Sequence, residues 1–287
     1  MKFGVAFANA GPFAEPAAFG HLARTAEENG LDSIWTVEHV VVPAGYKSKY
    51  PYDPSGKMPG PEDSDIPDPI LPLAYAAAIT SKIKLATGVV ILPQRHPFYV
   101  AKEFATLDVL SGGRAILGIG VGWLEEEFNA LGVPFEERAG RTRESVKAIR
   151  SLWEPGAKPF EGRYFNWGAV ESNPKPVQKG GVPIVVGGHT DIAARRAARY
   201  GNGFFPAVFD ENRVRELVAI VHEECGKLGR DPKEVEISTG MISTEIDVIR
   251  RYEEMGVSRL IMAPPGLDDA SVKAGLEQFA GDVLAKL

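Results

Sequence analysis

The sequence predicts a closed (β/α)8 barrel, on three observations. Short apolar runs rich in β-branched residues alternate with segments of helical period along the whole 287 residues. Eight strand–helix pairs can be counted, and the last helix uses up the chain. The length suits one large α/β unit, so residues 1–287 are expected to form a single barrel domain. An open doubly wound sheet is the alternative.

Lys2 to Ala8 is the first strand, and a helix follows from Pro16 with Phe19, Leu22, Ala23 and Ala26 on one face. Asn29-Gly30 stops it. Asp32 to Val37 is strand two, and its helix runs from Asp68 to Ser81 with Pro69 in the first turn. Ile83 to Ile91 is strand three. Its helix begins at Pro97, sets Val100, Phe104, Leu107 and Leu110 on one face, and ends at Gly112-Gly113. Arg114 to Ile119 is strand four, followed by a short helix over Leu124–Leu131 and a longer one over Arg138–Trp153.

The second half repeats the rhythm. Val182–Val186, Gly203–Pro206, Glu234–Met241 and Ser258–Ala263 are strands five to eight. Their helices are Thr190–Tyr200, a segment carrying Val214, Leu217, Val218 and Val221 on one face, Glu245–Met255 and Asp269–Leu287.

Two segments exceed ordinary loop lengths. Val40 to Pro67, after strand two, is rich in Pro, Gly, Tyr, Asp and Lys and has no periodicity. On a barrel it lies at the C-terminal face, where a long loop serves as a lid or a wall of the substrate pocket; a disordered insert is the plainer alternative. Tyr46, Tyr50 and Tyr52 suggest a partly apolar ligand. Glu154 to Gly181, before strand five, contains Arg163-Tyr164-Phe165-Asn166-Trp167 and Val170-Glu171, the pattern of a small hairpin.

Composition narrows the class. Apolar residues make up 44% and charged residues 24%, enough for a large core. The net charge of −6, from 32 basic and 38 acidic residues, gives no basic footprint for nucleic acid. Cys225 is the single cysteine, which excludes a disulfide framework. No signal-peptide pattern and no apolar run of about 18 residues is seen, so a cytoplasmic protein without a membrane partner is expected.

Catalytic residues of such barrels sit at the C-terminal strand ends. His39, just after strand two, is there to exchange protons near neutral pH, or is a hydrogen-bonded structural histidine. Glu38 alternates with it and suits an ion pair. Gly88, within strand three, marks a bulge or a close ligand approach to a flat ring, with barrel packing as the alternative. Gly118-Ile119-Gly120-Val121-Gly122-Trp123 closes strand four; G-x-G-x-G is not the dinucleotide spacing G-x-G-x-x-G. Its alternate glycines are expected to clear room for a ligand, with Trp123 stacking on it or walling the pocket.

Gly187-Gly188-His189-Thr190-Asp191 opens a helix after strand five, an arrangement suited to an anion, with Thr190 or Asp191 as N-cap. Gly203-Phe204-Phe205-Pro206 of strand six would complete a phosphate cradle. His21, His39, His96, His189 and His222 show no metal-ligand spacing, so no metal is expected. Glu125-Glu126-Glu127 reads as a solvated helix start.

These motifs together resemble the luciferase-like monooxygenases, the family of bacterial-luciferase-like flavin and deazaflavin oxidoreductases. The resemblance spans nearly the whole chain. It is carried by Asp32-Ser33-Ile34-Trp35 leading to Glu38-His39, and by Thr87-Gly88-Val89 with Pro93 and Arg95-His96-Pro97. Leu107-Asp108-Val109-Leu110-Ser111-Gly112-Gly113-Arg114 and Leu117 to Trp123 with Glu127-Phe128 add to it, as do Arg138, Arg141 and Glu144 before Leu152-Trp153, and Pro183 to Gly188. The closest likeness is to the subgroup dependent on coenzyme F420.

The resemblance implies a ring cofactor, coenzyme F420 or alternatively FMN, at the barrel mouth. A bulge with a non-prolyl cis peptide at Gly88-Val89, next to Thr87, would support the ring, with Gly122 and Trp123 beside it. The phosphate would lie at Gly187, Gly188, His189 and the end of strand six, Phe204-Phe205. His39 would be the catalytic proton donor or stabilise a charged ring, and a homodimer acting on a small organic substrate is implied. Trp123 stands where some deazaflavin dehydrogenases carry an acid, a departure that weighs against sugar-phosphate dehydrogenation. A cofactor-free phosphate-binding isomerase or aldolase would need a lysine or glutamate at the last strand ends, where Met241, Ala263 and Pro264 stand instead. A non-catalytic binding protein is the third class.

Overall fold

The computed structural model describes all 287 residues. Eight parallel strands close on themselves: β1 (Lys2–Val5), β2 (Ser33–Thr36), β3 (Lys84–Thr87, resumed at Val90–Ile91), β4 (Ala115–Gly120), β5 (Ile184–Gly187), β6 (Gly203–Phe205), β7 (Glu236–Gly240) and β8 (Val257–Met262). Gly4 pairs with Ser33, Trp35 with Ala86, Leu85 with Ala115 and Leu117 with Ile184 around one half. Val186 pairs with Phe204, Ile237 with Phe204, Thr239 with Leu260, and Phe3 with Leu260 to complete the ring. The fold is therefore the TIM barrel that the strand–helix count predicts.

The helices are α1 (Pro16–Glu28), α2 (Ile70–Ile79), α3 (Pro97–Ser111), α4 (Glu125–Ala130), α5 (Arg138–Trp153), α6 (Asp191–Tyr200), α7 (Glu211–Lys227), α8 (Ile246–Glu254) and α9 (Asp269–Asp282). None is long and apolar enough to cross a membrane. Gly112 ends α3 in the left-handed conformation, φ 66°, which glycine adopts without a Cβ penalty. Asp268 starts α9 with a capping box whose other member is Ser271. A small antiparallel hairpin, Lys158–Glu161 with Asn166–Val170, projects before β5 as expected. Glu144 of α5 accepts the amides of Arg163, Tyr164 and Phe165 in its turn.

Two details depart from the sequence expectation. Leu110 lies 64% exposed on α3, while Val100, Phe104 and Leu107 face the core. The first strand stops at Val5, and Phe7 beyond it takes φ 53°, a sparsely populated setting for a bulky residue. Strand three is interrupted at Gly88-Val89, where Gly88 marks a bulge.

Inside the barrel, Trp35, Ala86, Ile116, Val185 and Ile261 form a small apolar plug, with Phe205 packed above it. Below, Arg259 is buried and its guanidinium meets Asp32, Glu236 and Ser238. The lower half is thus filled by protein, and only the C-terminal mouth is left for chemistry.

Candidate active site

The floor of the mouth is a break in β3. The Gly88–Val89 peptide is cis, as the resemblance implies. The Gly88 amide donates to the Thr36 carbonyl at 2.6 Å. A Cβ on Gly88 would lie 3.2 Å from Trp35 and 3.6 Å from Phe205, so the bare backbone rests directly on the apolar plug.

The alternate glycines of β4, expected to clear room for a ligand, make room for protein side chains and backbone instead, and Gly187 of β5 does the same. A Cβ on Gly120 would stand 2.6 Å from Val89 Cγ2, and one on Gly187 would stand 2.7 Å from Val89 Cγ1. Val89 is wedged between the two strands. A Cβ on Gly118 would meet the Thr87 carbonyl oxygen at 1.7 Å. The Thr87 hydroxyl donates to the Gly118 carbonyl at 2.8 Å and accepts its amide at 3.0 Å, so this side chain staples β3 to β4 within the wall. Gly122, with φ 81°, is bare because Phe128 and Ile91 occupy its Cβ position.

At the end of β2 two neighbouring side chains part ways. Glu38 turns into the wall: it is buried, accepts the Ile91 amide at 2.5 Å and takes Arg95 Nε at 2.6 Å. Arg95 also donates to Asp68 at 2.7 Å. Burial pushes the Glu38 carboxyl above its ordinary range, and the Arg95 charge opposes that rise. His39 turns the other way. Its Nδ1 lies 3.0 Å from Glu127 Oε2, and this carboxylate is fully buried. Glu127 Oε1 accepts the amides of Val40 at 2.7 Å and Val41 at 3.3 Å.

The acidic run is therefore not a uniformly solvated helix start. Leu124 and Phe128, four apart, define the buried side of α4, and Glu127 falls on that side by helical periodicity. That spacing is the signal by which Glu127 could have been found. Glu126 faces the 40–67 segment and accepts the amides of Lys47 at 2.7 Å and Ser48 at 3.1 Å. Hydrogen bonds from Ser48 and Lys47 hold its carboxyl down at about 2.

The 40–67 segment is an ordered strap across the mouth. Its two ends are pinned by the buried Asn9, whose amide group donates to the carbonyls of Val37 at 2.9 Å and Pro67 at 3.0 Å. Trp123 anchors its middle, with ring contacts to Tyr46 at 5.5 Å, Tyr50 at 5.2 Å and His39 at 5.7 Å. Tyr50 packs on Tyr52, and Tyr52 packs on His189 at 5.0 Å. An edge-to-face aromatic chain thus runs from His39 to His189.

Beyond β5, Thr190 is the N-cap of α6, and its hydroxyl accepts the Ala193 amide at 3.2 Å. Gly188 needs its glycine: φ is 130° and a Cβ would lie 2.9 Å from Ala193 Cβ. Its amide is already spent on the Phe205 carbonyl at 3.2 Å, so it is not a free anion donor. Burial, and after it the nearby Arg213 charge, lower the His189 pKa from its ordinary value, and its Nδ1 is buried without a partner. Arg213 reaches the His189 carbonyl and pairs with Asp191 at 2.7 Å.

A cavity of about 410 Å³ opens here, lined by Tyr52, His189, Val208, Phe209 and Arg213 among others. Of the strand-six pair, only Phe205 faces the interior. Phe204 is fully buried against the helices and does not reach the cradle expected of it. The structure thus brings together Gly88, Val89, Gly187 and Phe205 as a floor, His39 and Trp123 as one wall, and His189 as the other. Thr87, Gly122 and Phe204 brace the frame. Asn9 and Glu127 are the residues that sequence reasoning passed over.

The model of the luciferase-like monooxygenase family matches residues 1–244. An uncharacterized protein of Mycobacterium tuberculosis is 31% identical over 277 residues, 93% of this chain and 94% of its own. The F420-dependent glucose-6-phosphate dehydrogenase of Kineococcus radiotolerans is 36% identical over 193 residues, 66% of this chain and 52% of that protein. The solved coenzyme F420-dependent tetrahydromethanopterin reductase from Methanopyrus kandleri shares the fold, with a TM-score of 0.79, 21% identity and 99% coverage of each chain. With a barrel mouth built on this plan and most of its length matched by one family model, the chain belongs to the luciferase-like monooxygenase family.

Proposed function

We propose that the protein is an oxidoreductase that uses coenzyme F420 to transfer a hydride to or from a small, partly apolar organic molecule. The observation that carries this reading is the pairing of His39 with the buried Glu127 at the end of β2, the strand that pairs with β3 up to the Gly88–Val89 break. It sets one side chain able to exchange a proton on the rim where a ring would lie. The 36% identity to an F420-dependent dehydrogenase supports the choice of cofactor.

When bound, a deazaflavin supplies two-electron hydride chemistry, and the protein supplies place and field. Gly88 and Val89 would back the ring. The amides at the start of α6, with Arg213 nearby, would hold an anionic tail. His39 would exchange the proton that accompanies hydride transfer. The tyrosine strap would keep water from the mouth, strengthening every polar contact within it. Trp123 in place of an acid weighs against a sugar phosphate as substrate.

The second reading is an FMN-dependent monooxygenase, favoured by the family model's own description. Fluorescence titration with F420 and with FMN separates the two. Micromolar binding of F420, with FMN weaker, is the expected result. Preference for FMN with oxygen consumption selects the second reading, and binding of neither overturns both. A cytoplasmic homodimer belongs to the same proposal. Leu71, Tyr99 and Leu110, all more than 60% exposed on α2 and α3, are the apolar surface it would cover. Light scattering on the eluted protein tests it.

A further inference from the structure

We propose that Glu127 is the positioning residue for His39. It fixes the imidazole with the proton on Nδ1, so that proton exchange takes place at Nε2 alone. The inference takes its catalytic meaning from the reading of His39 above, but it concerns a property of the cofactor-free protein.

Three donors surround the carboxylate. Val40 and Val41 both present backbone N–H groups to Oε1, and neither can do anything but donate. Oε2 is left for His39 Nδ1 at 3.0 Å. An ionised carboxylate only accepts, so the proton in that contact belongs to the ring. The group is fully buried, where a carboxylate persists only when hydrogen-bonded donors surround it. Three donors do so here. Nε2 makes no hydrogen bond within the protein, and the ring's other neighbour is the face or edge of Trp123 at 5.7 Å. The partner of one ring nitrogen sets the tautomer of the other, so Nε2 carries the lone pair.

The same geometry makes an uncommon prediction for Glu127→Gln. The two valine amides require an acceptor at the Oε1 place, which turns the new amide's oxygen toward them. Its NH2 group then faces Nδ1 and donates to it. The isosteric change should therefore move the ring proton from Nδ1 to Nε2, the position from which the exchange is proposed to occur.

The test is a two-bond 1H–15N correlation spectrum of the labelled, cofactor-free full chain at a pH where the ring is neutral, with the His39 signals assigned by their loss in His39→Gln. The wild type should show a protonated Nδ1 and an unprotonated Nε2, and Glu127→Gln should show the reverse. Turnover of the variant with F420 should fall on the order of 10²–10⁴-fold at little changed cofactor affinity, the span of general acid–base contributions. Exchange protection of the Val40 and Val41 amides should persist in Glu127→Gln and disappear in Glu127→Ala. A wild-type ring protonated at Nε2, or a tautomer unchanged by Glu127→Gln, overturns the proposal. If the variants do not fold, the wild-type spectrum decides alone. Failure of F420 to bind leaves these spectra untouched, so the two readings fail separately.

Discussion

Val89 occupies the space that a side chain on Gly120 would need: a Cβ built there falls 2.6 Å from Val89 Cγ2. One residue of β4 must be bare so that one residue of β3 can leave its strand. Gly120→Ala should force Val89 out of its slot and cost about 1–3 kcal/mol, the usual range for overpacking. It should also weaken F420 binding, because Val89 belongs to the floor. Val89→Ala in the same chain should return most of the lost stability. Urea unfolding of the single and double variants checks this; an additive double variant would show that the two positions do not compete for space.

Arg95 is the only cation paired with the buried Glu38 carboxylate, and it binds Asp68 at the far end of the strap as well. Arg95→Met should leave Glu38 buried without its counter-charge and destabilise the fold by roughly 3–5 kcal/mol. Glu38→Gln combined with Arg95→Met should be milder than Arg95→Met alone, since no orphan charge remains. Equal urea midpoints for Arg95→Met and wild type would contradict this assignment.

The strap should loosen in acid. Glu126 has an ordinary value of 4.5 and is held down at about 2 by its bonds to Ser48 and Lys47. A depressed carboxyl contributes stability that is complete above its ordinary value, declines as the pH falls from about 4.5, and is gone below about 2. Trp123 fluorescence should therefore change across that window as Tyr46 and Tyr50 move away. In Glu126→Gln that part of the change should be absent; a transition identical to wild type would place its cause elsewhere.

Trp123 contacts both Tyr46 and Tyr50, each pair worth roughly 0.5–1.5 kcal/mol. Trp123→Ala should free the middle of the strap while leaving its Asn9-pinned ends in place. Trypsin should then cut at Lys47, Lys49 or Lys57 several-fold faster than in wild type, with global stability changed little by comparison. Unaltered cleavage would mean that the carboxylates of α4 hold the strap without the indole.

His39→Ala should keep F420 binding within a few-fold and slow turnover by about 10²-fold or more. Arg213→Ala should do the opposite, weakening binding of the anionic cofactor with less effect on the rate at saturation. Gly188→Asp is a poor probe of the tail: a Cβ there meets Ala193 Cβ at 2.9 Å, and φ 130° is a setting that side chains rarely adopt, so the variant would strain the turn as well as add charge. Steady-state kinetics beside fluorescence titration separates the two roles, and parallel losses in both variants would remove the distinction.

Much of this was legible in the chain itself. The barrel, its strand order, the hairpin, the cap at Thr190 and the break at Gly88-Val89 all follow from local period, turn chemistry or a recognisable motif, because those depend on residues close together in sequence. The motifs that carried the family likeness proved largely to be braces. Asp108 accepts the amides of Val177 and Gln178, Arg114 donates to the carbonyls of Ala77, Thr80 and Ile83, and Glu144 holds the hairpin turn. Strand-end glycines invite a ligand on paper, yet Val89, Thr87 and Phe128 fill the places they leave.

By itself, then, the order of amino acids determined the closed barrel and the rim on which chemistry had to lie, since period and strand count are properties of the chain. Helical spacing turns Glu127 inward, but only the tertiary structure decided that it meets His39 there, and which glycines made room for neighbouring side chains. His39 with Glu127, and Val89 with Gly120 and Gly187, are contacts between segments about 30 to 100 residues apart, where closure of the barrel, and no local preference, selects the partner.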